Sequence, residues 1–221
     1  ISGLRLASMS DDDSGRAGIH RKLAGFAACD SLIIDVRGNG GGSRGALLAI
    51  AGAVMPPTQP FVVYNTARPL KLGETTASID RRMGTRFMVR LESLESDEAK
   101  AARELVTKIE GGLKKMTFDN AAFAGWYVGI VRRDEANSWW RPGRRVVVLM
   151  DHVCFSATDI FLMAMKEIDG VTLIGRPSAG GSGLAQRPCV VLELESPKHV
   201  LAARLGFTPE TLSRIFRELS D

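Results

Sequence analysis

Ser156 has the surroundings of a nucleophile. It stands in Cys154-Phe155-Ser156-Ala157-Thr158-Asp159-Ile160-Phe161, between an apolar run that reads as a buried strand, residues 145–150, and a helical pattern over residues 157–166. A serine at a strand-to-helix turn exposes its hydroxyl beside the N–H groups of the first helical turn, which can stabilise an oxyanion. A second donor must come from another segment. The glycine-rich run Asp35-Val36-Arg37-Gly38-Asn39-Gly40-Gly41-Gly42 suits that task, because glycine lets backbone N–H groups approach a ligand closely. The plainer reading is that Ser156 caps the helix and the glycines only make turns. A third run, Gly175-Arg176-Pro177-Ser178-Ala179-Gly180-Gly181-Ser182-Gly183, follows the next strand pattern.

A nucleophilic serine needs a base. The histidines are His20, His152 and His199. His152, four residues before Ser156, is the candidate base by proximity. His20 falls on a helix expected at the surface, and His199 lies near the C-terminus.

The elements that would position these residues alternate. Residues 1–7 read as a short strand. A helix runs through Ile19, Leu23 and Phe26, and Ser10 with Asp11, Asp12 and Asp13 is its expected start. Residues 32–36 read as a buried strand, 46–54 as a helix and 61–64 as a strand. Within 65–95 only a strand at 86–89 is expected. Residues 96–111 read as an amphipathic helix stopped by Gly111-Gly112, and 114–143 have no clear period. Then follow strand 145–150, helix 157–166 and strand 171–175. This rhythm predicts an α/β layer architecture. Residues 65–143 are expected to shape a cleft, with Trp139-Trp140 in a structural role.

Composition sets the class. The chain has 221 residues, 45% of them hydrophobic and 24% charged, as in a globular protein rather than a disordered one. The net charge of +4 permits an anionic partner without demanding one. No run approaches about 18 apolar residues, so no membrane span is encoded. Cys29, Cys154 and Cys189 are widely spaced and read as small buried residues, not as a disulfide framework or zinc site. No metal or cofactor is expected. The chain starts at Ile1, which suggests a fragment of something longer, with any export signal absent or removed.

The run at residues 32–42 resembles the Asp-x-Arg-x-Asn-x-Gly-Gly signature of the C-terminal processing proteases, the S41 family of serine peptidases. Residues 146–161 resemble that family's nucleophile segment, and 171–183 its following strand and glycine-rich loop. Order and spacing agree over about residues 1–186. The resemblance implies a ClpP/crotonase-like α/β fold and hydrolysis of peptide bonds in a peptide or protein substrate. It implies Ser156 as acyl-forming nucleophile, with the Ala157 N–H and an N–H from Gly40 or Gly41 as oxyanion donors. Asp159 matches the acidic position that orients local groups.

One branch of the family activates its serine with a lysine in the third run. That position is Gly181 here, and no lysine lies between Lys166 and Lys198. The tricorn-like branch uses a histidine from an upstream segment, so the base is expected before Ile1.

From residue 187 the character changes. Residues 198–219 read as two short helices joined by Gly206-Phe207-Thr208. They resemble the helix-turn-helix of Crp/FNR-type regulators, in which Glu210, Ser213 and Arg214 would read DNA. The tail carries as many acidic as basic residues, which argues against strong phosphate binding. The expected organisation is a peptidase domain over 1–186 and a helix-turn-helix-like tail over 187–221. A DNA-binding regulator and a non-catalytic peptide-binding fold are the alternative functions. Export to a bacterial periplasm or envelope would suit the peptidase, and cytoplasm the regulator.

Overall fold

The computed structural model describes residues 2–8, 15–94, 96–113 and 120–180. In chain order the elements are β1 (Ser2–Arg5), α1 (Arg16–Gly25), β2 (Ser31–Asp35), α2 (Gly45–Val54), β3 (Phe61–Ala67), α3 (Thr76–Gly84), β4 (Val89–Arg90), α4 (Ser96–Leu113), β5 (Tyr127–Arg132), β6 (Arg145–Met150), α5 (Ala157–Lys166) and β7 (Val171–Gly175). They form two compact units, residues 61–132 and the remainder.

The larger unit is built on a parallel sheet of order β1-β2-β6-β7. Parallel strands covered on both faces read as unbroken apolar runs, and β2 and β6 do so. Every β2 residue is buried, and β6 is buried from Val146 to Met150. Helix α2 is Ala- and Gly-rich and buried along nearly its whole length, the state expected of a helix apolar all round. It packs against α1 and α5. The register pairs Arg5 with Asp35, Asp35 with Leu149 and Met150 with Gly175. The carboxyl ends of all four strands therefore finish level, where open parallel sheets hold their ligands.

The smaller unit is an antiparallel sheet of order β3-β5-β4 with α3 and α4. Ile79, Met83, Met88 and Tyr127 form one buried cluster, and Leu94, Ala99, Ala102 and Val128 another. The Asp80 carboxylate accepts from Tyr127 Oη at 2.6 Å and from Arg90, joining α3 to both strands. The Arg90 and Tyr127 hydrogen bonds hold that carboxyl down at about 2.

Several expectations are corrected. Helix α1 begins at Arg16 with Gly15 at its N-cap position, and Ser10, Asp11, Asp12 and Asp13, the start expected for it, lie outside the described residues. Helix α4 runs through Gly111-Gly112 to Leu113, a tolerated cost of about 1 kcal/mol per glycine. The strand expected at 86–89 is only β4, and helix α3 and strand β5 lie in stretches that showed no period. Trp139 is buried, donating to Phe26 O at 3.0 Å beneath the Arg144 guanidinium, the structural role expected of it.

Candidate active site

The chain leaves β6 at Met150, turns through residues 151–155 and enters α5 at Ala157, with Ser156 at the N-cap position. A capping serine has extended backbone angles and a hydroxyl that accepts from the second or third helical N–H. Ser156 does neither. Its φ is 55° and ψ −119°, and its side chain makes no capping hydrogen bond. Positive φ in a residue with a Cβ costs about 1–3 kcal/mol and persists only where the surroundings enforce it.

The enforcement is visible. Phe155 N–H donates to Asn39 O at 3.2 Å, Ser156 N–H to Gly180 O at 3.0 Å and Ala179 N–H to Cys154 O at 2.9 Å. Neighbouring backbone from the two glycine runs thus holds the turn on both sides.

The first glycine run touches Ser156 directly. A Cβ on Gly41, whose φ is +109°, would stand 2.8 Å from Phe155 O, 2.9 Å from Ser156 Cβ and 3.0 Å from Ala157 N. No other residue type fits. Asn39, fully buried, joins the segments: its Oδ1 accepts from Gly41 N–H at 2.9 Å and from Thr158 Oγ1 at 2.6 Å, and its Nδ2 donates to Leu6 O at 2.8 Å. The Gly41 N–H is therefore engaged by the Asn39 side chain.

Charges frame the turns. Asp35 is buried and accepts from Arg5 Nη1 at 2.8 Å, Arg37 Nη2 at 2.7 Å, Arg37 Nε at 2.9 Å and the Arg37 N–H at 3.0 Å. Burial pushes its carboxyl up, but the Arg37 hydrogen bonds and both guanidinium charges outweigh that and leave it below the usual range. Asp151 accepts from the Gly38 N–H at 3.0 Å and the Val153 N–H at 3.0 Å, tying one loop to the other. Burial raises its carboxyl too, and those backbone bonds bring it below the ordinary value. Burial pushes the Cys154 thiol up to about 11, so it stays neutral, donating to Val36 O at 3.1 Å.

Ser156, Ala157, Gly40, Gly41 and Asp159 all fall in this one region. Asp159, 7% exposed, accepts from Ser178 Oγ at 2.5 Å. His152 is exposed in the turn, and among the described residues no hydrogen bond joins it to Ser156. His20, expected at the surface, is half-buried with Nε2 3.3 Å from Asp134 Oδ2, outside hydrogen-bond geometry. Glu210, Ser213, Arg214 and Gly181 lie outside the described residues. Asn39 entered the sequence reading only as the Asn of the signature, with no role, and Thr158, Asp151 and Ser178 were not singled out, though each stands within or beside the quoted runs. Among the described residues no cluster of His, Cys, Asp and Glu could hold a metal, and no helix is long and apolar enough to cross a membrane.

The family model for peptidase family S41 matches residues 1–201, and the chain belongs to that family. Among solved structures, a CPAF mutant with a serine replaced by alanine superposes with TM-score 0.53 at 18% identity, covering 84% of this chain and 39% of that one. Mature CPAF gives 0.52 at 16% identity, covering 85% and 40%. Mature CPAF complexed with lactacystin gives 0.51 at 17% identity, covering 84% and 40%. These likenesses concern the mixed α/β fold, and the chain spans about two fifths of the length of those structures. No curated protein matches the sequence.

Proposed function

We propose that this chain carries the nucleophile of a serine peptidase that cleaves peptide bonds through an acyl-enzyme, in a ClpP/crotonase-like arrangement. One observation carries the reading: Ser156 sits at a helix start in a strained backbone with a hydroxyl that does not cap, packed against a glycine that no side chain could replace. A structural serine has no need of that geometry.

In the proposed reaction Ser156 Oγ attacks the substrate carbonyl while its proton passes to a base. The oxyanion that forms lies between the Ala157 and Gly40 N–H groups, at the positive end of α5. The protonated base then gives that proton to the departing amine, and water releases the acyl group. His152 is the candidate base within the described residues, by its proximity to Ser156 in the chain. The DNA-binding alternative rests on residues 198–219 alone, and no comparison adds to it.

The test is labelling of the folded chain with a fluorophosphonate probe beside Ser156→Ala and His152→Ala. Labelling of the parent, abolished in Ser156→Ala, is the expected result. Equal labelling of parent and Ser156→Ala would end the reading. Absence of labelling, with retained binding of a peptide, would move the chain to the non-catalytic alternative. Loss of labelling in His152→Ala would identify the base.

A further inference from the structure

The segment Ser156-Ala157-Thr158-Asp159 has the spelling of a capping box, in which the acidic residue at the third helical position reaches back to the N-cap N–H. The structure pairs both groups elsewhere. The Ser156 N–H donates to Gly180 O at 3.0 Å. The Asp159 carboxylate instead accepts from Ser178 Oγ at 2.5 Å. Two further contacts lie between these: Ala179 N–H donates to Cys154 O at 2.9 Å, and Phe155 and Gly180 form a parallel bridge.

Residues 178–180 thus run beside 154–156 as an added stretch of strand. Its backbone bonds act on the turn that carries Ser156, while its one side-chain fastening among the described residues is the Asp159–Ser178 pair. Asp159 is 7% exposed, so little water competes for its side chain, and it stands in the first turn of α5.

We propose that Asp159 and Ser178 are a positioning pair. By fastening the loop after β7 to the first turn of α5, they hold Gly180 O over the Ser156 N–H and so keep Ser156 at its positive φ. Neither residue touches the reacting atoms, and both act through the backbone of Ser156. The effect on chemistry rests on Ser156 being the nucleophile, whereas the effect on the loop does not.

The experiment keeps these apart. Amide hydrogen exchange is followed at Ser156 and Ala179 in the parent, Ser178→Ala, Asp159→Asn, the double variant and Ser178→Thr. Fluorophosphonate labelling rates are measured on the same samples. Removing the pair should raise exchange at Ser156 and Ala179 roughly tenfold while amides of α2 and β6 keep their protection. The double variant should be no worse than either single one, because both remove the same contact. Ser178→Thr keeps the hydroxyl and should restore parent exchange. Labelling should slow by roughly tenfold in step with exchange, since small misplacements of a nucleophile are costly.

Unchanged exchange at Ser156 and Ala179 in both single variants would overturn the proposal. If Asp159→Asn loses protection throughout the sheet, Ser178→Ala alone decides. A parent that takes no label defeats the nucleophile reading only, and exchange still decides the pair.

Discussion

At Gly41 two constraints coincide. Its φ of +109° disfavours any residue with a Cβ, and the Cβ itself would meet backbone at Phe155 O (2.8 Å) and Ala157 N (3.0 Å) and the Ser156 Cβ at 2.9 Å. Backbone cannot swing aside as a side chain can, so Gly41→Ala must push the glycine run away from Ser156. We expect a loss of about 1–3 kcal/mol in stability and a fall of at least about a hundredfold in fluorophosphonate labelling, the scale seen when an oxyanion donor is lost. Thermal melts and labelling rates on one preparation check both, and a Gly41→Ala protein labelled at the parent rate would show that the glycine only turns the chain. Ser156 was legible in the sequence because its neighbourhood is contiguous: strand, turn and helix lie in one string. The role of Asn39 was not, although the residue is part of the signature, because its side-chain partners Leu6, Gly41 and Thr158 come from three separate stretches, and no single string displays that convergence.

The same contrast holds for elements. β2 and β6 were readable because buried parallel strands are short apolar runs, and α2 and α5 because each follows such a run. β5 was missed because Gly129 breaks its apolar run. The glycine is needed there, since a Cβ would stand 2.6 Å from the Tyr64 ring. α3 buries only Ile79 and Met83 among polar residues, too few to show a period. Its one local sign was Thr75, whose side chain accepts from the Ser78 N–H at 3.2 Å. β2 ends in Asp35, whose pairing with Arg5 and Arg37 fastens β1 to the glycine run. The folded-state carboxyl lies below its ordinary value, so its contribution is present above the unfolded pKa of about 3.9 and disappears as pH falls through the lower folded value. Asp35→Asn should cost about 2 kcal/mol at pH 7, the scale of hydrogen bonds to a charged group. Below pH 4 the gap between variant and parent should narrow. Urea unfolding at pH 7, 5 and 3 measures it, and a gap that stays constant across that range would show that the ionised carboxylate is not what stabilises β2.

For the whole molecule, the decisive feature is where residues 61–132 interrupt the larger unit. The chain departs after Pro60 and returns at Arg133, and the Arg133 N–H donates to Pro60 O at 2.8 Å, so the two ends of the excursion are hydrogen-bonded neighbours. The parallel sheet takes no strand from within 61–132, and the larger unit has a core of its own in β2, β6, α2 and α5. The return segment is fixed to that core: the Asp134 N–H donates to Gly52 O at 2.9 Å and the Trp139 N–H to Ala53 O at 2.8 Å. A segment whose ends already meet can be replaced by a short turn with little change in closure entropy, because that entropy varies only slowly with loop length. We expect a variant with residues 61–132 replaced by a four-residue Gly/Ser turn to fold and to melt in one cooperative transition, read by far-ultraviolet circular dichroism and calorimetry. The smaller unit has its own buried clusters, Ile79-Met83-Met88-Tyr127 and Leu94-Ala99-Ala102-Val128, so its removal should leave those of the sheet intact. A variant with native-like dichroism but no cooperative melt would mean that the parallel sheet depends on residues 61–132 for its packing, and that two compact units in space are one unit in folding.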